Sequence, residues 1–335
     1  MKIKEAKQRN SSIELLRILF ILSIVLFHFL GRNYSLFGIT NESAVWDSNL
    51  LLKLIVHSTG QLGVPGFVFI SGYFGLRYNN FRFIDIVFQC LIYSFVFYAI
   101  IAPLIGVFET RTFVLSAFFL SNWWFIWAYI VLYYLSPGLN NFIDSMSKRQ
   151  FIVLIVLLVF ISTGLWVFKT SATNIFILIE IYFIARYSKI HLQNIKMSRV
   201  WIILVLSVFI YYGSVVISYY YNNLKLMSYV NSYYNPIILV LSCSLIVAFA
   251  RVKFYSKIIN WLSPNLLAAY LITENFYGQV LFKDLFYSTG NFPILKFVGF
   301  GLLLIVICVL IDKGRLFLMG GIQKRWASKL EKWLV

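Results

Sequence analysis

Charge is scarce in this chain. Only 12% of its 335 residues are Asp, Glu, Lys or Arg, about half of what a soluble domain carries. So few polar groups cannot cover a surface in water, which excludes a soluble globular protein and makes lipid the main solvent. Acidic residues are the scarcest, 12 against 29 Lys and Arg. The resulting +17 does not point to nucleic acid, because the cations sit in short runs between apolar segments rather than on one face. Cysteine is limited to Cys90, Cys243 and Cys308, each inside an apolar run, and there are three histidines. With no CxxC or Cys/His spacing, neither a disulfide framework nor a metal site is expected. No P-loop, dinucleotide fingerprint or Gly-x-Ser-x-Gly is present.

What fills the chain is hydrophobic sequence, 61% of all residues. Scanning for runs of about 20 apolar residues marks ten: 12–31, 54–76, 83–104, 121–139, 151–168, 174–187, 200–220, 235–250, 257–277 and 292–312. The stretch from Thr112 to Leu120 is apolar but too short to span, and is expected to lie at the interface or re-enter. A basic start followed by the apolar run Ile18 to Leu30 resembles a signal peptide. No small-x-small cleavage site follows it, so the segment is expected to be retained. With the N-terminus inside, 22 of the 29 Lys and Arg fall on the inner side and 7 on the outer, a strong positive-inside bias. The expectation is an all-α polytopic membrane protein of about ten transmembrane helices with both termini cytoplasmic. It divides into a membrane domain over 1–312 and a cytoplasmic amphipathic tail over 313–335, where Lys324, Arg325, Lys329 and Lys332 alternate with Trp326, Leu330 and Trp333.

Ionisable residues at membrane depth mark functional candidates. The first run carries Glu14, Arg17 and His28. Eleven helical steps bring Arg17 and His28 to within about 20° of one stripe and about 16 Å apart along the axis. Glu14, three residues before Arg17, is placed to pair with it. The other reading makes Glu14 and Arg17 interfacial residues and His28 a packing contact. His57 precedes the glycine-rich run Gly60–Gly75, whose small residues permit close backbone approach. Glu180 and Glu274 lie inside later runs. Each is a candidate to orient the His28 imidazole or, alternatively, a structural partner of a buried Asn, Tyr or Arg.

These residues carry a resemblance. Arg17, ten intervening residues and His28, preceded by Glu14, resemble the signature of the membrane acyltransferase-3 family. Phe67-Val68-Phe69-Ile70-Ser71-Gly72-Tyr73 is similar to that family's second-helix motif, and Trp123-Trp124-Phe125-Ile126 with Tyr133, Tyr134, Leu135 and Pro137 to its later Trp-aromatic helix. The resemblance implies an O-acyltransferase in the plasma membrane that moves an acyl group, usually acetyl, from cytoplasmic acetyl-CoA to a hydroxyl of an extracytoplasmic or lipid-linked bacterial glycan, such as a polysaccharide or cell-wall polymer. His28 is then the essential histidine and general base, Arg17 its motif partner and Glu14 the residue beside it. Ser71, Tyr73, Trp124, His57, Glu180 and Glu274 are the candidate substrate contacts. Arg77 and Arg82 join Arg17 at an inner mouth that attracts the phosphates of acyl-CoA. Many relatives have Tyr-Leu-Ile-His in the ninth helix; here Tyr270-Leu271-Ile272-Thr273 precedes Glu274, so a second family histidine is absent. The alternative function is a transporter or flippase of a lipid-linked sugar, which also accommodates many helices, a basic inner face and the buried Glu180 and Glu274.

Overall fold

The computed structural model describes residues 9–36, 48–106, 110–111, 114, 123–167 and 174–334. Every regular element among them is helical, which in lipid satisfies the backbone within each segment. Among the described residues, six helices are long and apolar enough to cross a membrane. Lys2, Lys4, Lys7, Lys169 and most of the Thr112–Leu120 stretch lie outside the described residues.

Helix α1 (Ser11–Asn33) is capped by Asn10, whose side chain accepts from Ser12 N. It is buried on nearly all sides, the mark of a central helix. Its two ends define the ends of the bundle. At the Ser11 end, Ser11 N donates to Phe254 O. At the Asn33 end, Asn33 Nδ2 donates to Lys283 O and Tyr34 Oη to Ser288 O.

Helices α2 (Ser48–Thr59) and α3 (Gly63–Phe74) form one rod through a 3₁₀ turn at Gly60–Leu62. The rod lies hard against α1, since a Cβ at Gly60, Gly63 or Gly66 would collide with Phe27, Ile24 or Phe20 respectively. Apolar side chains gain little from meeting one another in lipid, so such backbone proximity is what joins the two. Gly75, at φ +77°, ends the rod in a conformation only glycine adopts readily.

Helix α4 (Asn80–Val96) widens to a π turn over Phe97–Ile101 before Pro103. The chain then forms α5 (Trp124–Asp144), α6 (Lys148–Val167), α7 (Asn174–His191), α8 (Met197–Tyr220), the short α9 (Leu224–Val230) and α10 (Pro236–Arg251). Many apolar side chains point outward, among them Phe160, Phe209 and Leu295. Exposed apolar surface on this scale is stable only against hydrocarbon.

The run at 257–277 is not one helix. It divides into α11 (Lys257–Leu262), a 3₁₀ turn at Ser263–Asn265, α12 (Leu267–Thr273) and α13 (Phe276–Phe282). Helix α14 (Ile294–Leu334) closes the bundle. Its 41 residues extend for about 60 Å, twice the hydrocarbon thickness. The helix continues through residue 313 without a break, and beyond it Trp326, Leu330 and Trp333 line a groove with Phe83, Val87 and Phe88 of α4.

Between α4, α14 and the 3₁₀ turn lies a buried polar hub. Asp312 Oδ1 accepts from Gln89 Nε2 (2.8 Å), Tyr93 Oη (2.9 Å) and Arg315 Nε (2.6 Å), while Oδ2 accepts from Asn265 Nδ2 (2.6 Å). Arg315 also reaches Asp85. A carboxylate so fully engaged is tolerated away from water.

Candidate active site

Two groups of polar residues lie along α1, one toward each end. Toward the Ser11 end, Arg17 Nη1 is 3.2 Å from Glu14 Oε2, the pairing expected from their i,i+3 spacing. Arg17 lines a cavity of about 270 Å³ walled by α1, α3, α5 and the break after α11. Most of its wall is apolar. The polar exceptions are Arg17, Ser71, Tyr129, Ser263 and Tyr270. Ser71 Oγ donates to Phe67 O at 2.9 Å, so the hydroxyl of Tyr129, 3.2 Å away, is the donor to Ser71.

Toward the Asn33 end, one carboxylate oxygen gathers two cations or potential cations. Glu274 Oε2 is 2.7 Å from Arg32 Nη2 and 3.2 Å from His28 Nδ1. Glu274 is buried, at 2% side-chain exposure, whereas His28 and Arg32 keep 22% and 32%. The buried carboxylate thus has its charge matched from the more accessible side. Phe27 supports both imidazoles, meeting His28 edge-on at 5.0 Å and stacking on His57 at 4.3 Å.

Among the described residues, His28 is not one of those that line the Arg17 cavity. The Arg17 cavity extends to Tyr270, one helical turn before Glu274, whose N–H donates to Tyr270 O at 2.9 Å. Along α12, Tyr270 at the cavity is therefore one helical turn from the carboxylate that holds His28. Arg17 and His28 both stand on α1, Arg17 at the cavity and His28 at Glu274.

The remaining candidates separate into those the fold gathers and those it does not. Ser71 faces the cavity. Tyr73, two residues later, is buried beneath the Lys189 ammonium at 5.0 Å and does not line it. Trp124 packs against Tyr233, while Phe125 and Tyr129 of the same helix face the cavity. Arg77 and Arg82 are exposed around the start of α4 and do not line the cavity. Arg82 nonetheless acts electrostatically on Tyr129, as does Arg17. His57 is buried beside Phe27, within electrostatic reach of His28. Glu180 is buried on α7 within hydrogen-bonding reach of Ser162 on α6. Of the two candidate carboxylates, Glu274 is the one at His28.

Sequence reasoning passed over Arg32, Tyr129, Ser263 and the Asp312 hub. Arg32 follows His28 by four residues and so shares its helix face, a signal present in the spacing. Asp85, Gln89 and Tyr93 repeat at the same interval on α4, which marks a polar stripe on an otherwise apolar helix. Among the described residues, no group of three or more His, Cys, Asp or Glu is arranged to hold a metal ion.

Comparison with curated proteins and with solved structures finds no significant match. A family model described as an acyltransferase domain matches residues 10–313. The match runs from the N-cap of α1, through the Arg17 and His28 groups, to the Asp312 hub, and the chain belongs to the acyltransferase-3 family.

Proposed function

We propose that this protein transfers an acyl group, acetyl by its resemblance, from cytoplasmic acyl-CoA to a hydroxyl of an extracytoplasmic or lipid-linked glycan. In this reading ten passes cross the plasma membrane, the Ser11 end and the tail after 313 face the cytoplasm, and the Asn33 end faces outward. The alternation of helices from α1 to α14 and the excess of Lys and Arg at the Ser11 end support that orientation.

The observation that carries the reading is the His28–Glu274–Arg32 cluster, partly open at one end of α1, with an Arg17-lined cavity toward the other. A sugar hydroxyl is a poor nucleophile. With Nδ1–H directed at Glu274, His28 has Nε2 as its basic nitrogen, and Nε2 takes the hydroxyl proton as oxygen attacks the thioester carbon. The Glu274 carboxylate holds that tautomer and stabilises the imidazolium that forms. In this reading the guanidinium of Arg32, paired with Glu274 beside His28, also stabilises the negative charge that develops on the carbonyl oxygen. Collapse of the tetrahedral intermediate expels the CoA thiolate, the proton on His28 is released, and the products are the acyl ester and CoA thiol. At the other end, Arg17 at the cavity, with Arg77 and Arg82 exposed around the start of α4, attracts the donor's phosphates. The arm of the donor then extends past Ser71 and Tyr129 toward Tyr270.

Glycan mass spectrometry of cells with and without the protein tests the reading. An acyl mass increment present with the wild type and absent with His28→Ala, at equal membrane abundance, is the expected result. An increment that persists in His28→Ala removes the histidine from the chemistry.

A further inference from the structure

The break at Ser263–Asn265 interrupts a run otherwise apolar enough to continue as helix. A change from α to 3₁₀ geometry within an apolar run is tolerated where the turn lines a cavity or is held by other parts of the protein, and here both conditions are met. On one side Asn265 is tied to the Asp312 hub. On the other, Ser263, Pro264, Leu266 and Leu267 line the Arg17 cavity. The hub thus presents the turn to the cavity as a rigid wall.

The side chains of this turn are not equally satisfied. Asn265 Nδ2 donates to Asp312, and across the cavity Ser71 and Tyr129 satisfy one another. Ser263 is buried at 4% exposure, and its hydroxyl has no hydrogen-bond partner among the described residues. A buried, unpaired hydroxyl at a cavity wall is explained by a group that arrives from outside. The rest of the wall defines that group. Ile21, Ile24, Phe67, Ile70 and Phe125 are apolar, so the occupant is slender and uncharged, with isolated polar atoms along its length.

We propose that Ser263 is a binding residue for the acyl donor, its hydroxyl hydrogen-bonding an amide of a pantetheine-type arm drawn through the Arg17 cavity. The inference rests on the donor reading above and adds a residue and a chemical group to it. A lipid chain in the same cavity offers no partner to this hydroxyl.

Binding of two probes to the full-length protein in detergent tests it: acetyl-CoA, and 3′-phosphoadenosine 5′-diphosphate, which has the phosphates but no arm. Ser263→Ala is expected to weaken acetyl-CoA about tenfold, in the range of one lost buried hydrogen bond, and to leave the armless nucleotide unchanged. The melting temperature without donor should be unchanged or higher, because an unpaired polar group has been removed. Unchanged acetyl-CoA affinity, an equal loss for both probes, or a lower melting temperature without donor each overturns the role given to Ser263. Failure of the wild type to bind acetyl-CoA is a different outcome, and overturns the donor reading itself.

Discussion

His28 Nδ1 lies 3.2 Å from Glu274 Oε2, a contact between the first helix and the end of α12. Replacing that carboxylate by its neutral isostere leaves the shape of the site and removes the charge that, in the proposed mechanism, sets the imidazole tautomer. Glu274→Gln is expected to lower kcat for acyl transfer by about 100-fold or more, with KM for the donor nearly unchanged. Glu180→Gln is the matched control. Its side chain faces Ser162, and independent sites contribute separately, so its rate should stay within about threefold of wild type. Initial rates with labelled acetyl-CoA in proteoliposomes decide between them, and equal losses would remove the distinction drawn here.

Arg32 matches the charge of a carboxylate that is 98% withdrawn from solvent by the rest of the fold. Arg32→Ala leaves that charge buried with the neutral imidazole as its remaining contact. Because the guanidinium is itself about one-third exposed, the expected loss is of the order of 1–3 kcal/mol rather than the larger value for a wholly buried pair. Thermal unfolding followed by tryptophan fluorescence should show it. Under the proposed mechanism, acyl transfer should fall further in Arg32→Ala than in Arg32→Lys, which would keep a cation beside the developing oxyanion.

Two glycines separate packing from propensity. A Cβ on Gly63 would collide with Ile24 of α1, whereas one on Gly138 meets nothing within 4 Å. Gly63→Val is expected to abolish monodisperse elution from a sizing column, since both backbones must move apart. Gly138→Ala should raise stability by up to about 1 kcal/mol through helix propensity alone. A Gly63→Val protein that elutes and melts like the wild type would show that the α1–α3 contact is not what holds the bundle.

Asp312 collects four hydrogen bonds from three elements. Asp312→Ala strands the donors of Gln89, Tyr93, Asn265 and Arg315 together, and a loss of about 3–5 kcal/mol is expected. Asp312→Asn retains one acceptor oxygen and should lie between the alanine variant and the wild type. Chemical denaturation in detergent orders the three, and an alanine variant as stable as the wild type would mean that the hub contributes no net stability.

The parts legible in the sequence were those set by local periodicity. The Glu14–Arg17 pair follows from three residues of helix, and the glycine run announced a close helix contact. Pro264 was a visible sign that 257–277 would break, since it removes a helix donor, yet hydropathy averaged over the run concealed it. The choice of Phe125 and Tyr129 over Trp124 was not legible. All are aromatics on one helix, and only the position of the neighbours decides which face meets the cavity.

Composition by itself determined that the protein lives in lipid and is built of helices, because a chain with so little charge has no other stable solvent and backbone in hydrocarbon must bond within its own segment. One helical repeat determined the stripe carrying Arg17 and His28. Only the tertiary structure decided that Glu274 rather than Glu180 meets the imidazole, and that Tyr270 lines the Arg17 cavity. The reason is that apolar helices in lipid have no hydrophobic preference for one partner over another; close glycine contacts and a few buried hydrogen bonds select the partner, and these join residues far apart in the chain.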